Sequence, residues 1–255
     1  MGYNNQMKVS PLIKYLSFQI YTAMLLAPVI SKKSDPEILH KFRVSIRRTR
    51  SLIALYMPEQ YAFLDVLRQM IQQTNALREL DVLSQEKELT HYPHLQREVI
   101  KQRKRVFMEG TSTKRLLHIS DILNRLYDDI LGTKNDIDAA QLIATAETSY
   151  SSNMNCYRTI NKKTTENQLH QLRIGFKITR YALEFLTESG LKDEKNKINR
   201  CKDRQESLGD VQDTVTQILW IKQICKENHS NECKPCIRSL KARLKELRKN
   251  ERHRS

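Results

Sequence analysis

Glycine and proline are scarce in this 255-residue chain, at six each. So few turn formers leave little room for hairpins and predict long helices with few breaks. Aromatic residues make up only 7%, with a single tryptophan, so no platform for stacking nucleic-acid bases is apparent. The cysteines (Cys156, Cys201, Cys225, Cys233 and Cys236) are odd in number and scattered. That pattern speaks against a disulfide framework and for a reducing compartment, so a cytoplasmic location is expected. No P-loop, GxSxG or HExxH is present. The chain is therefore not expected to be an enzyme, and no cofactor is called for.

Acidic residues are also short. Lys and Arg number 44 against 29 Asp and Glu, a formal net charge of +15. Such an excess bears on partners rather than on fold: nucleic acid, an anionic membrane surface or a free polyanion. The one apolar run, 11–30, carries a single charge, Lys14. It is interrupted by Tyr15, Ser17, Gln19, Tyr21 and Thr22, and no small-x-small cleavage site follows. It reads as a buried amphipathic helix, without membrane insertion.

The hydrophobic period is helical nearly throughout and the fold class is all-α. Helices are predicted over about 10–30, 36–56, 60–89, 94–108, 113–131, 136–160, 165–188 and 193–227, with a basic tail helix over 236–255. The first is expected to stop near Pro28. The second starts on a capping Ser34 or Asp35 with Pro36 in its first turn.

An internal repeat organises the rest. LHKFRVSIRRTR around His40 is echoed by LHQLRIGFKITR around His170, 130 residues on. His40 matches His170, Arg43 matches Arg173, Arg47 matches Lys177 and Arg50 matches Arg180. Downstream, 68–83 answers 200–215, pairing Arg68 with Arg200 and Asp81 with Asp213. At 100° per residue, His40, Arg43, Arg47 and Arg50 share an arc of about 80°. Leu39, Phe42, Ile46 and Ile53 form the adjoining apolar stripe. In the second copy, Leu169, Leu172, Phe176 and Leu183 flank the basic arc.

Like charges stacked one turn apart repel, and 39–55 contains no acid at all. Something anionic should neutralise the faces. Guanidinium groups offer forked, permanently charged donors suited to phosphate oxygens. A histidine at the head of each stripe can donate to phosphate or add charge near pH 6–7. Internal carboxylates such as Asp81 and Asp213 are the structural alternative, and nucleic acid is the competing polyanion.

These segments resemble the CHAD domain (conserved histidine α-helical domain). LHKFRVSIRRTR and LHQLRIGFKITR look like its two signature helices, and ALRELDVL and SLGDVQDTV like the segments on the helices that follow. The likeness spans roughly residues 10–250. It implies two pseudo-repeated antiparallel four-helix bundles, 10–132 and 136–250, around a basic groove or pore. It also implies inorganic polyphosphate as the ligand, possession of a stand-alone binding role, and an association with polyphosphate granules. By position, the contacts would be His40, Arg43, Arg47, Arg48 and Arg50, with His170, Arg173, Lys177 and Arg180. Arg68, Arg78 and Arg200 would be secondary. Three departures stand out. Ile178 replaces the first copy's Arg48, Leu77 stands opposite Gly209, and Glu184 adds an acid expected to organise an arginine.

Cys233-Lys-Pro-Cys236, with His229 nearby, is a thin metal or redox signal. Two free loop cysteines are expected there. His91-Tyr-Pro-His94 is equally thin, and Glu86-Lys-Glu88 does not form the ExExK strand of a triphosphate-cleaving domain.

Overall fold

The computed structural model describes residues 10–32, 35–110, 113–133, 137–161, 163–228 and 230–254. Among them there are helices and connections but no strand. Ten α-helices follow in order: α1 Pro11–Lys32, α2 Pro36–Tyr56, α3 Tyr61–Gln73, α4 Asn75–Ser84, α5 Pro93–Gly110, α6 Thr113–Gly132, α7 Ala139–Arg158, α8 Glu166–Glu188, α9 Lys195–Asn228 and α10 Cys233–Arg254. A 3-10 turn, Lys87–His91, lies between α4 and α5.

Local chemistry sets the ends of the two repeat helices. Asp35 caps α2, its carboxylate accepting from Glu37 N at 2.8 Å, with Pro36 in the first turn. Thr165 caps α8 in a reciprocal box with Gln168. Beyond α8, Gly190 takes φ 69, which a Cβ would penalise. Its N–H reaches Thr187 O while Leu191 N reaches Leu186 O, and the chain turns sharply into α9.

The core divides into two clusters, and each draws on both halves of the sequence. The larger joins α1, α2, α3, Leu77 at the start of α4, α6, α7, α8 and the first part of α9. The smaller joins α4, the 3-10 turn, α5, the later part of α9 and α10. The apolar stripes of the repeat lie in the first: Leu39, Phe42, Ile46 and Ile53, with Leu172, Phe176 and Leu183, are all buried. Leu169 is half-buried at its edge. Truncating Phe42 or Phe176 would cost about 3–5 kcal/mol by this burial.

Four expectations are corrected. Helix α1 runs through Pro28 to Lys32, because Ala27 and Ile30 beside the proline stay docked in the core. By length and composition Pro11–Ile30 could cross a membrane. Here Leu12, Ile13, Leu16, Ile20, Ala23 and Ala27 pack inward, within the larger core. The helix expected over 60–89 is broken at Thr74 and again after Ser84. The cysteine expectation also fails: Cys225 and Cys233 form a disulfide that ties the end of α9 to the start of α10. Cys233 and Cys236 lie in the first turn of α10 rather than in a loop, and Cys236 is free and buried. His229 lies outside the described residues.

Candidate polyanion site between the repeat helices

The two signature helices, α2 and α8, pack against each other, and their basic arcs meet. Arg47 from α2 and Lys177 from α8 are the centre. Lys177 is pushed down to about 7, first by burial and then by the charges of Arg47, Arg173 and Arg180, with Asp213 opposing. Arg47 is lowered by burial and by Arg173 and Arg78. His40 is lowered by burial, Arg78, Arg47 and Arg43, against Glu37. His170 is lowered by burial, Arg173 and Lys177. Residues far apart in the chain thus crowd into one field of positive charge. Within it, neither Arg47, Arg78 nor Lys177 has a carboxylate at ion-pair distance among the described residues. Asp213 approaches Arg173 at 3.8 Å. The His170 Nδ1 and the Nε atoms of Arg50, Arg173 and Arg180 are buried without a hydrogen-bond partner.

Three arginines of the expected set are occupied by the protein itself. Arg43 is 3% exposed. Its guanidinium enters the break between α3 and α4, where Nη1 donates to Ile71 O at 2.8 Å and to Thr74 Oγ1, and Nη2 to Asn75 Oδ1 at 2.7 Å. Arg48 donates to Glu184 at 2.8 Å and lies 3.4 Å from Glu188. Glu184 also reaches Arg180 at 3.7 Å, so this acid does organise arginines as expected. Arg180 lies 4.8 Å over the buried ring of Tyr181, which Arg48 approaches from 5.9 Å.

The remaining residues are peripheral. Arg50 is half-buried and feels Arg68, which is exposed and paired with Asp65 at 3.8 Å. Arg200 is exposed on α9. Sequence reasoning missed Tyr181 and overestimated Asp81. That carboxylate is fully buried, held by Arg103 Nε of α5 at 2.6 Å, and reaches Arg78 and Arg43 only through space, without an ion pair to either. The Tyr181 signal was available, since it directly follows Arg180.

A sequence profile of the CHAD domain matches residues 23–222, more than three-quarters of the chain. The chain belongs to the CHAD domain family. Its fold agrees with that membership. It resembles the crystal structure of the CHAD domain from the plant Ricinus communis, at 19% identity and TM-score 0.76, over 94% of this chain and 90% of that one. It also resembles PptA from Streptomyces chartreusis, at 15% identity and TM-score 0.60, over 95% and 93%. No curated protein matches it. The two CHAD signature helices are α2 and α8, the pair that forms the charge cluster.

Proposed function

We propose that this CHAD domain binds inorganic polyphosphate, held where the basic arcs of α2 and α8 face each other. One observation carries the reading: Arg47, Arg78, Arg173 and Lys177 crowd together, and among the described residues only Arg173 has a carboxylate at ion-pair distance, Asp213 at 3.8 Å. Close like charges in a half-buried place are unfavourable until an anion enters. A linear chain of phosphates supplies that charge where the two arcs meet. Arg47, Lys177, Arg173, Arg78 and the two histidines would touch the polymer, while Arg180 stays with Glu184 and Tyr181 at the border of the site. Arg43 would support the site by holding the α3–α4 break. The sequence halves 10–132 and 136–250 would be the two pseudo-repeats, sharing their hydrophobic cores, and the groove or pore would open where the basic edges of α2 and α8 meet. The action is binding rather than catalysis. Residence in the cytoplasm and at polyphosphate granules belongs to the same proposal, although the Cys225–Cys233 bond removes the cysteine argument for a reducing compartment.

The direct test is competition. Labelled long-chain polyphosphate is bound at roughly physiological salt, where loose attraction is screened, and challenged with unlabelled RNA and DNA. Nucleic acid should compete only in large phosphate excess; competition phosphate for phosphate would identify a general polyanion binder. The site itself is tested with Arg47→Gln plus Lys177→Gln. The double variant should melt no lower than the parent, because it removes repulsion. Polyphosphate should no longer raise its midpoint, as it does for a native-state ligand. A full polyphosphate shift in that variant would reject the assignment.

A further inference from the structure

Helix α10 carries a second basic surface that the central site does not use. Lys234, Arg238, Lys241, Lys245 and Lys249 are spaced by four, three, four and four residues, and all are exposed. At 100° per residue they occupy one arc of about 80°, running about 22 Å along the helix. None forms an ion pair among the described residues. Elsewhere on the surface, some exposed lysines find carboxylates a few residues away: Lys41 with Glu37, Lys101 with Glu98, Lys195 with Asp193, and Lys202 with Glu206. On α10 the next turn along the strip supplies another cation, an arrangement that weakens an isolated helix, with Glu246 bordering it three residues before Lys249. The helix is held from its other side, where Cys236, Leu240 and Leu244 are buried in the smaller core.

The surroundings indicate which anion fits. The strip exposes no large apolar side chain to enter a bilayer, and α10 contains no aromatic residue on which bases could stack. Four of its five cations are lysines, which act as mobile point charges rather than as forked binders. That suits loose neutralisation of a flexible phosphate chain. On the opposite side of the helix from the strip, Arg243 pairs with Glu86 at 3.0 Å, and Asp210 on α9 lies in the electrostatic reach of both Arg243 and Arg173.

We infer that the solvent face of α10 is an outer seat for polyphosphate, engaged by polymers long enough to leave the cluster between α2 and α8. The inference rests on the central-site reading and adds length selectivity to it. A polymer confined to the cluster would not feel the strip, whereas a long one would release further counterions along it.

The test is a five-site variant, with Lys234, Arg238, Lys241, Lys245 and Lys249 all changed to Gln, a residue of similar helix propensity. Circular dichroism confirms that the helices remain. Affinity is then measured against salt for short (roughly ten-phosphate) and long (roughly hundred-phosphate) polymers, and for single-stranded RNA. For the long polymer, the slope of log affinity against log salt should become shallower by about 3, with affinity down at least about tenfold at moderate salt. The short polymer should bind as before. An unchanged long-polymer slope overturns the outer seat and leaves the central site standing. So does a loss confined to RNA, or an equal loss for short and long polymers. If the parent chain holds neither polymer, the central site is wrong and the outer seat falls with it.

Discussion

The two repeats solve one packing problem in opposite ways. Arg43 and Arg173 are equivalent, and each points from its signature helix toward the next part of the chain. In the first repeat that part is interrupted. Helix α3 ends at Gln73, α4 begins at Asn75, and the guanidinium of Arg43 fills the gap with hydrogen bonds. In the second repeat, α9 continues for 34 residues without a break. Room is made instead by Gly209, which stands where the first repeat has Leu77. A Cβ on Gly209 would lie 3.1 Å from Arg173 Nη2 and 3.2 Å from Nε. One repeat opens the backbone and consumes its arginine as a structural pin. The other deletes a side chain and leaves its arginine near the cluster, with Asp213 half-exposed beside it. The acids follow the same division: Asp81 is sealed against Arg103, whereas Asp213 borders the site. Equivalent sequence positions therefore carry unequal duties: structural in the first repeat and, under the proposed function, ligand-facing in the second.

Exchanging these duties is the most severe way to break the comparison. Arg43→Met leaves Ile71 O, Thr74 and Asn75 without their donor and should cost about 3 kcal/mol or more, read as a lower urea midpoint. Arg173→Met should cost about 1 kcal/mol or less, since that pair is loose and partly solvated. It should nonetheless weaken polyphosphate binding strongly. Equal destabilisation by the two variants would refute the division of roles.

A second, intermediate effect comes from Lys177. Its ammonium is lowered to about 7 in the folded protein by burial and the facing cations of α2 and α8, against roughly 10.4 in an unfolded chain. Between those values the unfolded state binds more protons, so stability of the free protein should rise with pH from about 7 toward 10. Polyphosphate restores the charged form, and its binding should take up a proton. Affinity should therefore fall by roughly tenfold between pH 7 and pH 9, a window above the usual histidine range. Calorimetry in buffers of different ionisation enthalpy detects the proton directly. Lys177→Met should flatten the profile; a profile unchanged in that variant would place the titration elsewhere.

The smallest effect sharpens the comparison. Gly209→Ala restores a side chain where Leu77 stands in the first repeat. The gain in helix propensity, about 1 kcal/mol, should roughly offset the tight contact with Arg173. Little change is expected in the melting midpoint. Arg173 must shift by a few tenths of an ångström, and polyphosphate affinity should drop about threefold. A large loss of stability with unchanged affinity would show that Gly209 serves packing rather than the placement of Arg173.

Much of this was legible in the sequence because helices write their environment at fixed spacing. The period of 3.6 separated buried Phe42, Ile46, Phe176 and Leu183 from the basic positions beside them. Caps announced Asp35 and Pro36. The repeat paired Arg47 with Lys177. Other features had no such signature. The break at Thr74 lies in a run with good helical periodicity and no glycine or proline, and the group that occupies it is an arginine about 30 residues earlier. Pro28 looked like a stop, but the residues around it are anchored by the core. Cys225 and Cys233 are brought together by the turn between α9 and α10, a proximity that cysteine counting does not reveal.

The sequence by itself determined the all-helical class, the family, the two signature helices and the excess of positive charge, because each depends on residue type and local period. Only the tertiary structure decided which cations share one field and which are already spent on Glu184, Glu188 or the α3–α4 break. That decision depends on distance and burial across the packed helices, and electrostatic coupling follows separation in space rather than separation along the chain.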